Sequence, residues 1–245
     1  MNKLLGIHAV KEALEAGRAL ERVVIARGKG GDRVQEIVDL ARSRKVAVRF
    51  EERAQLDRLA GNDRHQGVIA LAGVKRVETL EGLIEATAGK VSRLVVLLDG
   101  VEDPHNLGAV IRSALAAGAD GVVIPERRAA GLTEVVSRAS AGALEHLSVA
   151  RVGNLVRAME ELKEAGYWLV GLDERAEKSY TEVDFTGAVG IVMGGEGKGL
   201  HELTRKRCDF LVSIPTTGPV RSLNVSVAAG VVLFEAVRQR KTRKN

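Results

Sequence analysis

The sequence predicts an α/β protein in two parts: a small N-terminal α/β unit over residues 1–75 and an open parallel sheet flanked by helices over 92–245, with a linker over 76–91. Three observations carry that reading. Helical and extended stretches alternate along most of the chain, the pattern of β-α-β units that build a parallel sheet. Leu94–Asp99 (LVVLLD) is an unbroken apolar run, as expected of a strand buried on both faces. Residues 75–91 lose apolar periodicity and hold Glu, Gly, Thr and Lys, which places the boundary there.

In the first part, Gly6–Ala16 has helical spacing, Arg22–Ala26 reads as a strand, and Asp32–Arg44 as a helix with Asp32 as N-cap. Ala47–Glu51 is a strand, Arg53–Leu59 a short helix ended by Gly61, and Gly67–Leu71 another strand. Such a unit is small but viable alone. In the second part, strand Leu94–Asp99 leads to a small-residue helix over Leu107–Ala117 closed by Gly118. Then come strand Gly121–Ile124, helix Thr133–His146, strand Leu147–Val152 and a helix capped by Asn154 that runs to Ala165. Trp168–Leu172, Ala188–Met193 and Phe210–Ile214 are the remaining strands, before a helix from Asn224 to Lys241.

Composition narrows the class. Aromatic residues make up 3% of the chain, so Val, Leu, Ile and Ala must build the core, and a stacked-aromatic surface for single-stranded nucleic acid is disfavoured. No apolar run approaches the roughly 20 residues that span a bilayer, and Met1–Gly6 lacks the core of a signal peptide. A cytoplasmic protein with no membrane partner is expected. Cys208 is the only cysteine, and His8, His65, His105, His146 and His201 show no metal-ligand spacing, so no metal is expected either. The formal charge of +5 is unevenly spread: residues 1–76 carry +6, residues 77–237 carry −6, and Arg238–Asn245 hold five basic groups and no acid. Basic ends around an acidic middle suit a polyanion held by the flanks, or a solvated surface with a frayed tail.

Open parallel sheets bind ligands at the carboxyl ends of their strands, so the loops after Asp99, Met193 and Ile214 matter most. The first runs Asp99-Gly-Val-Glu-Asp-Pro-His-Asn-Leu-Gly-Ala-Val-Ile-Arg112, with Asn106 at the helix start and Arg112 within its second turn. Alone, these two could be an N-cap and a surface arginine. The second is Met193-Gly-Gly-Glu-Gly-Lys-Gly199, four glycines around Glu196 and Lys198 directly after a buried strand. Such glycines let a ligand approach the backbone. A P-loop would need Ser or Thr where Gly199 stands, and the glycine spacing fits a dinucleotide fingerprint poorly. The third contains Arg221-Ser-Leu-Asn-Val-Ser226, whose Ser222 or Asn224 could cap the last helix.

Together the loops resemble, in order and spacing, the three motifs of the SpoU-type (TrmH-like) RNA ribose 2′-O-methyltransferases of the SPOUT superfamily: Asn106-x-Gly108-x-x-x-Arg112, Met193-Gly-x-Glu-Gly-x-Gly199 and Ser222-Leu-Asn-Val-Ser226. The resemblance covers roughly residues 92–245. The opening Gly6-Ile-His-Ala-Val10 and His65-Gln-Gly-Val68 resemble the substrate-binding domain of the ribosomal RNA members. It implies an α/β-knot methyltransferase domain, a parallel sheet tied in a trefoil, plus an N-terminal α/β domain of the ribosomal-protein L30e-like type. It implies S-adenosylmethionine as cofactor, bound by Gly194, Gly195, Gly197, Ile214 and Leu223, with Asn106, Arg112, Glu196, Ser222 and Asn224 as catalytic residues. It further implies a homodimer acting on structured RNA, with a guanosine of large-subunit (23S) ribosomal RNA as first choice. Transfer-RNA ribose methylation is the alternative, followed by a non-catalytic RNA-binding or ribosome-assembly protein on the same fold, then an oxidoreductase.

Overall fold

Residues 2–18, 20–61, 65–72, 78–197, 199–219 and 222–242 are described by a computed structural model. By their contacts they form two units, Met1–Arg76 with Leu132–His146, and Val77–Gly131 with Leu147–Asn245. The expected boundary at 75 lies outside the described residues.

The first unit begins with β1 (Asn2–Leu5), α1 (Ile7–Glu15), β2 (Leu20–Ala26), α2 (Asp32–Ser43), β3 (Ala47–Glu51), α3 (Arg53–Ala60) and β4 (Val68–Ala72). The strand order is β1-β4-β2-β3, with β4 antiparallel to both neighbours and β2 parallel to β3. Helices α1 and α2 bury Val10, Leu14, Ile37 and Ala41 against Val23, Ile25 and Val68. Helix α3 places Leu56 against Val24, Ile69 and Leu71 on the opposite face, as alternation along the strands requires. Two details differ from expectation. Asn2–Leu5 is a strand, made one by pairing with β4 (Leu4 opposite Ala70, Leu5 opposite Ile69), because four residues are too few to show a period. Asp32 is the first residue of α2 and Gly31 is its cap, with no side-chain capping bond.

The second unit contains α4 (Leu80–Thr87), β5 (Arg93–Asp99), α5 (Pro104–Ala116) and β6 (Gly121–Pro125). After α6 (Glu134–Ala139) and α7 (Ala143–His146) come β7 (Ser148–Val152), α8 (Leu155–Glu164), β8 (Trp168–Leu172), β9 (Ala188–Gly194), α9 (Glu202–Arg207), β10 (Phe210–Val212) and α10 (Val225–Thr242). All six strands are parallel, in the order β10-β8-β9-β5-β6-β7. The chain winds outward from β5 to β7, crosses to β8, and returns with β9 between β8 and β5. That return puts the ends of β5 and β9 side by side, Asp99 opposite Gly194. One face of the sheet, including Val95 and Leu97, packs with α4 and α8 through Leu83, Leu155, Met159 and Leu162. Helix α10 packs along α5 and reaches β9.

Helix α4 stands inside the stretch read as linker. Thr79 caps it, its Oγ1 accepting from the Gly82 N–H at 3.0 Å, and Leu80 and Leu83 are buried in the core. With two buried leucines in eight residues, burial rather than local pattern makes it a helix. The expected helix Thr133–His146 is broken into α6 and α7 by positive φ at Ala141 (49°) and Gly142 (89°). This segment belongs to the first unit: Glu145 pairs with Arg18, and His146 Nε2 lies 2.5 Å from Glu12 Oε2.

Part of the basic C-terminal run is structural. Arg240 donates to the carbonyls of Phe185 (2.8 Å), Arg93 (2.9 Å) and Gly187 (3.1 Å), and burial lowers its pKa. Arg238 forms a two-pronged pair with Glu235 at 2.8 and 2.7 Å. Arg243 and Lys244 lie outside the described residues.

Candidate active site

Asp103, rather than Asn106, caps α5. Its carboxylate accepts from the N–H groups of His105 and Asn106, both at 3.2 Å, and Pro104 takes the first helical position, where a missing N–H costs nothing. Asn106 is thereby released from capping. Its side chain is 8% exposed and donates through Nδ2 to Glu196 Oε1 at 2.9 Å. Asn224, just before α10, donates through Nδ2 to the same Glu196 oxygen at 2.8 Å and to Asn106 Oδ1 at 3.0 Å. The orientation of the Asn224 amide follows from its other end: Oδ1 accepts from the Ser226 N–H at 2.9 Å and the Ser226 hydroxyl at 2.6 Å. Three loops distant in sequence thus meet in one hydrogen-bonded network that aims a carboxylate.

The turn carrying Glu196 is fixed by backbone approach. Gly195 N donates to Asp99 O at 2.8 Å, and Gly199 N to Gly195 O at 3.1 Å. A Cβ on Gly194 would fall 2.0 Å from the Gly199 carbonyl carbon, and one on Gly195 2.0 Å from the Gly100 oxygen. Only glycine permits either contact. Asp99 then clamps the far end of the turn, its carboxylate accepting from His201 N at 2.9 Å and lying 2.9 Å from His201 Nδ1.

Beside this turn lies a cavity of about 520 Å³. Gly194, Gly195, Gly197, Ile214 and Leu223, expected to bind cofactor, all line it, as do Glu196, Ser222 and Asn224. Asn106 lines an adjoining hollow of about 490 Å³ that shares Gly195, Glu196, Gly199 and Val225 with the first. Arg112 is not brought to this cluster. Six residues beyond Asn106, it projects about 120° away around the helix and about 9 Å further along it. It is exposed and makes no hydrogen bond or ion pair with the described residues.

Sequence reasoning missed the wall supplied by the loop after β8. Asp173, buried at the carboxyl end of that strand, accepts from Arg175 N (2.9 Å) and Nε (3.0 Å) and from Arg205 Nε (2.7 Å). Burial pushes its pKa up, but the bonds and charges of Arg175 and Arg205 outweigh it and hold the carboxyl below its usual value. Asp173, Glu174 and Arg175 all line the larger cavity. The signal was available, because β8 is a parallel strand and its carboxyl end is as much a ligand edge as those of β5 and β9.

A parallel sheet whose carboxyl edge carries a glycine turn, an aimed glutamate and two asparagines has clear counterparts among known proteins. Residues 93–234 match the SpoU rRNA Methylase family and residues 3–76 match the RNA 2'-O ribose methyltransferase substrate binding domain. The chain belongs to the SpoU methylase family. It is 47% identical, over 97% of its own length and 96% of the relative's, to the 23S rRNA (guanosine-2'-O-)-methyltransferase RlmB of Xanthomonas campestris. Among solved structures, the SpoU methyltransferase AviRb from Streptomyces viridochromogenes in complex with AdoMet superposes with a TM-score of 0.83 at 28% identity, covering 98% of this chain and 90% of that one. An AdoMet-bound rRNA methyltransferase from Sinorhizobium meliloti gives 0.81 at 26% identity, covering 97% and 87%.

Proposed function

We propose that this protein is an S-adenosylmethionine-dependent methyltransferase that modifies the ribose 2′-hydroxyl of a guanosine in large-subunit (23S) ribosomal RNA. The observation that carries this reading is the Asn106–Glu196–Asn224 network, whose Glu196 and Asn224 line the 520 Å³ cavity. The near full-length identity with the Xanthomonas enzyme and the substrate-binding match over residues 3–76 support ribosomal over transfer RNA as the target. The net charge of +6 on residues 1–76 suits an RNA-binding role for the N-terminal unit, which we read as L30e-like.

The cavity suits the cofactor in size and lining. Its volume lies within the roughly 300–1,000 Å³ of small-molecule sites, and Leu172, Met193, Ile214 and Leu223 offer apolar walls beside the backbone of the glycine turn. S-adenosylmethionine, when bound, supplies a methyl group activated by its sulfonium. Gly194, Gly195, Gly197, Ile214 and Leu223 would hold it, and the close packing of Gly194 on Gly199 keeps that wall rigid. Such positioning of donor and acceptor supplies much of the rate gain in a one-step transfer.

The remaining need is to make the 2′-oxygen nucleophilic. Glu196 has Oε1 committed to two amide donors, while Oε2 accepts from none of the described residues and is the proton acceptor in this reading. Arg112 has the charge to stabilise a developing oxyanion, a role that suits a guanidinium better than that of the base. Its place away from its own chain's network is consistent with action at the site of a second copy. Val227 and Phe234, seven residues apart on α10 and 53% and 52% exposed, supply an apolar stripe for a homodimer. Asn106 and Ser222 position the ribose, and Asn224 braces the turn. The strand order, with β9 threaded back between β8 and β5, supports the trefoil knot of the resemblance. Ribosomal RNA as substrate supports a cytoplasmic location.

Incubation with methyl-labelled S-adenosylmethionine and unmodified large-subunit ribosomal RNA, beside bulk transfer RNA, followed by digestion to nucleosides, tests the reading. The expected product is labelled 2′-O-methylguanosine from the ribosomal sample alone. Label only in transfer RNA would move the substrate, and label in neither would remove the activity.

A further inference from the structure

The second hollow, which shares Gly195, Glu196 and Gly199 with the cofactor cavity, has no assigned ligand. It is lined by Glu102, Asn106, Arg128, Glu196 and His201, among others. Because Glu196 borders both hollows, a group seated there lies beside the same residue as a group in the larger cavity. Two of its acidic residues are already engaged. Asp99 is bonded to His201, and Asp103 caps α5. Arg128 is the only Arg or Lys among the described lining residues, and it makes no hydrogen bond or ion pair with any described residue.

Arg128 also sits in an unusual backbone state. Its φ is +57°, in the left-handed region where a residue with a Cβ is disfavoured. Two residues on, Ala130 N donates to Val101 O at 3.0 Å, which ties this loop to the loop after β5. A glycine would satisfy that backbone without strain. The strained arginine brings the described protein no ion pair in return, which is the pattern of a side chain held for a ligand.

We propose that this hollow is the acceptor-nucleotide pocket and that Arg128 holds a phosphodiester group flanking the target ribose, so that the 2′-hydroxyl lies toward Glu196. A phosphodiester is the fitting ligand because the guanidinium offers a planar fork of donors with permanent charge. The proposal rests on the RNA-methylation reading above, and it makes Arg128 a positioning residue rather than one that takes part in proton or methyl transfer.

The test uses Arg128→Gly, Arg128→Lys and the wild-type protein with unmodified large-subunit ribosomal RNA. The glycine variant removes the charge and suits the φ of +57°, so loss of folding does not confuse the result. Expected for Arg128→Gly are a roughly tenfold rise in KM for RNA and a plot of log affinity against log salt shallower by about 0.9. Affinity for S-adenosylmethionine by calorimetry should not change, and Arg128→Lys should recover part of the RNA affinity and the salt slope. An unchanged KM and salt slope in Arg128→Gly, with active wild-type enzyme, would overturn the proposal. So would an equal loss of cofactor affinity, which would place Arg128 in the other cavity. A wild-type protein that methylates no RNA would instead sink the functional reading.

Discussion

Gly194 offers a direct test of how the glycine turn makes the cavity. Its substitution by alanine adds one carbon 2.0 Å from the carbonyl carbon of Gly199 and 2.3 Å from Leu200 N, all backbone atoms. Ordinary carbon contacts are about 3.5–4.0 Å, so strand β9 and the returning end of the turn must part by well over 1 Å. Overpacking of this kind costs about 1–3 kcal/mol where side chains can yield; here backbone meets backbone, and the upper end is expected. Gly197→Ala is the matched control. Its φ of +77° strains an alanine, but a Cβ there meets nothing within 4 Å, so its cost should stay at about 1–2 kcal/mol. Urea unfolding would measure both stabilities, and titration calorimetry the affinity for S-adenosylmethionine. Gly194→Ala should weaken cofactor binding at least tenfold, about 1.4 kcal/mol, and more than Gly197→Ala does. Near-normal binding in Gly194→Ala would mean that the Gly194–Gly199 approach does not shape the cofactor cavity.

Three further outcomes follow from the same structure. Leu83→Ala should cost about 2–5 kcal/mol in urea unfolding, since this α4 side chain is buried against Gly121 of β6; a negligible change would return the segment to a linker role. Asp173→Asn should lower the melting temperature at pH 7 but not in acid. The carboxyl has a folded-state pKa below its unfolded value, so its stabilising effect is complete above about pH 4 and is lost as pH falls through the lower value. A gap between wild type and variant that persists undiminished in acid would refute this. Cys208 should resist thiol reagents at pH 8 in the native protein and react in urea, because burial first and the neighbouring Asp209 charge second push its pKa up to about 12. Fast native labelling would contradict that burial.

Much of the architecture was legible because its signals are local. The central strands are apolar runs, and Leu94–Leu98 could hardly be anything but doubly buried. Asn154 was readable as a cap, and its Oδ1 accepts from Arg157 N at 3.1 Å. The glycine loop after Met193 stood out because so many glycines around one glutamate do little for packing. Elements held by remote partners were not legible. Strand β1 exists through its pairing with β4, and α4 through burial of two leucines. The break at Ala141 and Gly142 is a backbone choice that an apolar period cannot reveal.

The sequence by itself determined the fold class, the three loops and the residue types they present, since apolar runs and glycine-rich turns are written in consecutive residues. Only the tertiary structure decided that Asp103 caps α5 and leaves Asn106 to reach Glu196. It also decided that Asp173 walls the cavity with Arg175 and Arg205, and that Arg112 points away from the network on its own chain. The reason is physical. The reach of Asn106 to Glu196 and the place of Asp173 at the same sheet edge depend on β9 returning between β8 and β5, a pairing set by the burial of side chains far apart in the chain.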